Sequence, residues 1–305
     1  MKESEVIIVD SVPTDKYITM IKNAVNYAII SIPFTFNRIG LGDSVKRVKN
    51  IAKGKLSELL LKFFCEENNI DIDFESCETP FWQIDNKDFI LNNVEWDQKN
   101  KIYYAHPYKL KYNYTDLPAL VFNKSNIDTW AKRNENFNVG NNGVTFLFTF
   151  LKGADLINGK RDREFFDVIM NEDQINFINT LYLKYQGKPQ DSEPFTEEWF
   201  FGELKKLGPT HFIKIYEYPD LIITGYANNE TFDKFKPIGP NVKENNYIDL
   251  IEPYWYTKTK NGYINFMNGT LWIMVDNVVC PVRELNSFAS LFPHLKDNMK
   301  YGKFA

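Results

Sequence analysis

Thiol, imidazole and guanidinium groups are all scarce in this 305-residue chain. Only three Cys occur, Cys65, Cys77 and Cys280, widely spaced and odd in number. They offer no disulfide framework, and they fit a reduced, cytoplasmic compartment. The three His (His106, His211 and His294) are equally scattered. No CxxC, HxH or HExxH pair occurs, which argues against structural zinc, a zinc hydrolase or a His-rich nuclease. Neither GxGxxG nor GxxxxGK[ST] is present, so the usual nucleotide cradles are missing. No basic stretch followed by an apolar run opens the sequence, so no signal peptide is expected. No apolar run approaches the ~18 residues of a membrane span. Of the 36 basic residues only Arg38, Arg47, Arg133, Arg161, Arg163 and Arg283 are Arg. Any bidentate guanidinium recognition must draw on those six.

Aromatic residues are plentiful: 25 Phe and 17 Tyr contribute to an aromatic content of 16%. With 44% apolar and 25% charged residues, the chain has the balance of a globular protein with a large core. The net charge of -4 excludes a protein that coats nucleic acid through bulk basicity, but not one with a local basic cleft.

Periodicity predicts a helix over residues 14–31, ended by Pro33, and a second over 51–67. In the second, Leu56, Leu59, Leu60, Phe63 and Phe64 form a core-facing stripe, with Glu58 at its border. The basic run over 36–55 reads as a solvated helix face. Residues 70–77, 88–92, 94–99, 117–123 and 143–151 read as strands, and 162–185 and 195–206 as helices. Residues 211–226 and 248–284 read as antiparallel strands, giving an α+β second half.

One hairpin concentrates chemistry. Asp88 opens the strand Asp88-Phe89-Ile90-Leu91, Asn92-Asn93 makes a turn that tolerates positive φ, and Val94-Glu95-Trp96-Asp97-Gln98-Lys99 returns. Side chains alternate along a strand, so Asp97 and Lys99 share a face, roughly 7 Å apart along the chain. Asp88 reaches the same face from the neighbouring strand. Carboxylate oxygens suit Mg²⁺, and an adjacent ammonium can stabilise charge on a phosphorane. The Gln98 carbonyl and Glu58 are further candidate ligands.

Over roughly residues 50–100 this arrangement resembles the PD-(D/E)xK, or restriction-endonuclease-like, nuclease family. Asp88, Asp97 and Lys99 match its acidic residue, hairpin and (D/E)xK in order and spacing, and Glu58 matches its helical Glu. Three features depart from the pattern. Lys87 stands where the family name has Pro, Gln98 is polar at an often apolar position, and Glu95 adds an acid on the Asp97 face.

The resemblance implies an α/β fold with a mixed sheet flanked by helices; a break in the pattern near 152–164 divides a nuclease core over residues 1–157 from an α+β region over 158–305 for recognition or dimerisation, which is either separate or part of the same domain. It implies a type II restriction endonuclease: a Mg²⁺-dependent, site-specific enzyme that cleaves double-stranded DNA as a homodimer. Asp88, Asp97, Glu58 and Gln98 are then the candidate metal ligands, and Lys99 a catalytic group. For DNA recognition, Lys160, Arg161 and Arg163 form the densest Arg site, with Arg133 beside Trp130 and Lys132 as another. The alternative for residues 159–164 is a helix start with its charges in water. Two other functions stay open: a different nuclease of the same fold, and a non-catalytic α+β binding protein.

Overall fold

A computed structural model describes residues 1–34, 43–83, 87–104, 113–122, 144–153, 164–185, 192–209, 211–228, 247–249, 256–257, 262–266, 269–273 and 277–305. The protein is a mixed α/β structure whose central sheet is mixed and flanked by helices.

Helix α1 spans Thr14–Ser31, as its periodicity predicts. Ile21, Ala24, Val25 and Ala28 are fully buried on one face. Pro33 lies in the short 3-10 turn Ile32–Phe34 that follows. Helix α2 runs over Ser44–Glu67, starting earlier than predicted. Its N-cap is Asp43, whose Oδ1 accepts the Lys46 N–H at 3.0 Å. Leu56, Leu60, Leu61 and Phe64 are fully buried along it. Each such side chain contributes about 1.5–3 kcal/mol through burial.

The basic run ahead of that stripe is not simply a solvated face. Lys49 pairs with Asp167 at 3.0 Å, and Lys53, only 3% exposed, pairs with Glu164. The Lys49 ammonium beside Asp167 holds that carboxyl below its usual range, with Tyr216 also donating to it.

The central sheet is built from β1 (Ile7–Val9), β2 (Phe89–Leu91), β3 (Val94–Tyr104), β5 (Thr145–Gly153), β8 (Asp220–Ala227), β14 (Asn286–Ser287) and β15 (Lys303–Phe304). Its order is β15-β1-β8-β5-β3-β2, with β14 also on β8. β3 and β5 run parallel, with Asp97 beside Phe146 and Lys99 beside Phe148. The other pairings are antiparallel. Strands from beyond residue 158 thus sit in the same sheet as the hairpin. Gly225 is required where β14 meets β8, because a Cβ there would lie 2.8 Å from the Leu285 Cβ.

Alternation assigns the two faces of this sheet. Ile7, Val9, Phe89, Leu91, Trp96, Leu147, Leu151, Leu221 and Ile223 join one core with the buried faces of α1 and α2. Val6, Phe148, Phe150 and Ile222 join a second core with Leu117, Ala119, Val282 and Leu285.

Two expected elements differ. Residues 70–77 form no strand. Asp73 alone makes a bridge, to Ile90, and its carboxylate accepts the Ser76 N–H at 2.9 Å, turning the chain into a 3-10 turn. Residues Phe166–Ile169 are a strand, β6, not helix. Phe166 and Val168 are buried while Asp167 and Ile169 are more exposed, a period of two. β6 pairs with β7 (Phe212–Ile215), and helix α3 follows over Glu172–Tyr185. Helix α4 spans Glu197–Lys206, capped by Thr196.

Two small sheets complete the described chain. One joins β4 (Pro118–Phe122), β10 (Tyr256–Thr257) and β13 (Asn277–Pro281). The other joins β9 (Tyr247–Asp249), β11 (Gly262–Phe266) and β12 (Gly269–Ile273). Among the described residues no helix is long and apolar enough to cross a membrane. Cys65 and Cys77 are buried free thiols, and burial pushes the Cys65 thiol well up.

Candidate active site

The β2–β3 hairpin forms as its residues dictate. Asn92 and Asn93 take φ of 52° and 60°, left-handed at both turn positions. Two consecutive residues there give the turn whose twist matches a two-residue hairpin. Leu91 pairs with Val94, Ile90 with Glu95, and Phe89 with Trp96. This register is anchored by aromatic packing. Phe89 and Trp96 stack with ring centres 5.7 Å apart, and Phe74 packs on Phe89 at 5.3 Å.

Because Phe89 and Trp96 turn toward α2, their neighbours Asp88 and Asp97 turn toward the other face. The Asp88 N–H donates to the Trp96 carbonyl at 2.8 Å. Its carboxylate Oδ2 accepts the backbone N–H of Gln98. Asp88 is therefore pinned against the Asp97-Gln98-Lys99 segment. Asp97 and Lys99 form an ion pair through Oδ2 and Nζ. Their side chains keep 22% and 29% of their surface exposed, so solvent can reach both. The Lys99 ammonium also lies 5.5 Å from the centre of the Phe146 ring.

Glu95, the extra acid on this strand, is engaged elsewhere. Lys87 donates to its Oε1 at 2.6 Å. The Glu95 carboxylate in turn holds the Lys87 ammonium above its ordinary value.

Glu58, the helical acid, is paired within α2. Lys55 donates to its Oε2 at 2.7 Å on the surface of α2 itself. Its neighbour Ser57 meets the sheet on the face opposite Asp97 and Lys99. Among the described residues, no three of His, Cys, Asp and Glu gather closely enough to hold a metal ion. The hard-oxygen donors in this corner are thus Asp88, Asp97 and nearby backbone carbonyls such as that of Gln98. Such a set suits Mg²⁺, which binds through one or two carboxylates and keeps several waters.

Lys160, Arg161, Arg163 and Arg133, the residues expected to recognise DNA, lie outside the described residues, as do Trp130, Lys132 and His106. Arg283 is described, and it pairs with Asp116 and, at 3.6 Å, with Glu284.

A second polar group, not expected from the sequence, lies beside the site. The Gln98 side chain turns to the α2 face, 9% exposed. Its Nε2 donates to Ser57 Oγ at 2.7 Å and to Thr149 Oγ1 at 2.9 Å. The two hydroxyls lie 3.2 Å apart. The available signal was the polar residue at position 98 itself, flanked by two site candidates. No protein-family model, curated protein or solved structure matches the chain, so what this corner can do follows from its own donors and their geometry.

Proposed function

We propose that the protein is a Mg²⁺-dependent nuclease of the PD-(D/E)xK kind, hydrolysing phosphodiesters of double-stranded DNA at specific sites. The carrying observation is the hairpin: it pins the Asp88 carboxylate to the backbone of the strand that displays Asp97 and Lys99 on one accessible face. A helix, then a hairpin, then a strand parallel to its second arm supports the restriction-endonuclease-like fold assignment.

In this function Asp88 and Asp97 would hold the metal. Mg²⁺, when bound, would polarise a phosphoryl oxygen and supply an activated water. The Lys99 ammonium stabilises charge that develops on the phosphorane, exchanging its contact with Asp97 for one with the phosphate. Glu58 is left out of this ligand set because Lys55 holds its carboxylate along α2. A homodimer would present two such corners, one to each strand of a duplex.

The test is a plasmid digest with Mg²⁺, using the wild-type protein and the variants Asp97→Asn and Lys99→Met. Discrete fragments are expected from the wild type. Both variants should melt like the wild type and lose cleavage by about 10²-fold or more, the scale seen when one transition-state contact is removed. Equal cleavage by all three proteins would remove these residues from the mechanism. A DNA gel shift without cleavage would favour a binding protein instead.

A further inference from the structure

Resting on that nuclease function, we infer that Gln98 is a positioning residue, whose buried amide clamps the Asp97-Gln98-Lys99 strand to α2 and β5 and so sets the two acids and the ammonium against one another.

Gln98 is bonded on both sides at once. Its backbone N–H is held by the Asp88 carboxylate, on the proposed catalytic face. Its side-chain NH₂ is held by Ser57 on α2 and by Thr149 on β5, on the opposite face. Both hydroxyls are fully buried, and Thr149 also lies 3.4 Å from Asn100 Oδ1. The middle residue of the tripeptide therefore ties the sheet edge to the helix, while its two neighbours point to solvent.

Packing alone does not explain an amide here. A Leu or Met would bury a similar volume without polar atoms. The amide instead leaves Oε1 buried with no hydrogen-bond partner among the described residues. An unpaired buried acceptor lowers stability, so the group must supply something that apolar packing would not. Its NH₂ supplies direction. Two hydrogen bonds fix where Gln98 sits along and across the strand, whereas apolar contacts are non-directional. Asp88 reads that position through the Gln98 N–H, so a shift of the strand moves Asp97 and Lys99 relative to Asp88.

The experiment compares the wild type with Gln98→Leu, Ser57→Ala, Thr149→Val and Thr149→Ser. Each is assayed on plasmid DNA across a Mg²⁺ titration, with thermal melting as the check on folding. Gln98→Leu, Ser57→Ala and Thr149→Val should fold, keep the KM for DNA and lose roughly ten- to a hundred-fold in kcat, the scale of a displacement near 1 Å. Their half-maximal Mg²⁺ concentration should rise. Thr149→Ser keeps the hydroxyl and should behave as the wild type. The double variant Gln98→Leu with Thr149→Val should be no slower than the slower single one, because one network is broken only once.

A folded Gln98→Leu protein with wild-type kcat and an unshifted Mg²⁺ curve overturns the positioning role. If Gln98→Leu does not fold, Ser57→Ala, which leaves the strand sequence intact, decides by the same criteria. A wild-type protein that leaves plasmid uncut in both Mg²⁺ and Mn²⁺ refutes the nuclease function itself, and the positioning role falls with it.

Discussion

The hairpin turn offers a clean test of how the site is held. Asn92 and Asn93 both sit in the left-handed region and both side chains are exposed, so replacing them removes little packing. What changes is the backbone preference. An ordinary L-residue costs about 1–2 kcal/mol in this conformation, and Asn relieves part of that. Asn92→Ala with Asn93→Ala should thus weaken the hairpin by roughly 2 kcal/mol. Asn93→Gly should strengthen it by up to about 1 kcal/mol, because Gly has no Cβ to clash.

Hydrogen exchange followed by mass spectrometry on peptides covering residues 88–104 measures this locally. A loss of about 2 kcal/mol appears as roughly thirty-fold faster exchange through local opening. Peptides from α1, which lies outside the hairpin, should change far less. The consequence for the site is steep, because a slip of one residue would turn Asp97 and Lys99 to the α2 face and Gln98 outward. The double Ala variant should therefore lose the proposed nuclease activity beyond what its global stability explains. If Asn93→Gly and Asn93→Ala shift exchange equally, or in the same direction, the turn is not under the backbone control described here.

Two further outcomes test the wider structure. Leu60→Ala, at a fully buried position of α2, should destabilise the fold by about 2–5 kcal/mol in urea unfolding, whereas exposed Glu66→Ala should change it by less than about 0.5 kcal/mol. Burial lowers the His211 pKa below its ordinary 6.5, so the folded state resists protonating it. The unfolded state then binds the proton first, and stability is full above pH 6.5 and falls as pH drops through the lowered value. His211→Asn should flatten that part of the stability–pH curve, and an unchanged slope would place its origin elsewhere.

What was legible in the sequence was local. The α1 and α2 stripes follow from a period near 3.6, and the hairpin follows from two Asn flanked by alternating residues. Asp97 and Lys99 share a face because strands alternate, whatever the rest of the chain does. The strand Phe166–Ile169 reads as helix in the sequence because its four residues precede a genuine helix and carry too short a pattern to separate the two periods. The strand predicted over 70–77 failed for a different reason. Its alternating residues were right, but Asp73 spends its carboxylate on a turn and only one residue pairs.

Glu58 shows most directly where the sequence stops. Its place on α2 fixes which residues line up with it, but not which face of the sheet α2 covers. That is decided when Trp96, Leu147 and Leu151 bury against α2, which commits Gln98 to the helix and Asp97 to the far side. The same long-range choice pairs β3 with β5 and seats Lys53 and Lys49 on the acids of residues 164–167. Sequence by itself determined the elements, the turn and the alternation, since those depend on neighbours within a few residues. Tertiary structure alone decided which candidates meet, since that depends on burying apolar faces contributed by residues far apart in the chain.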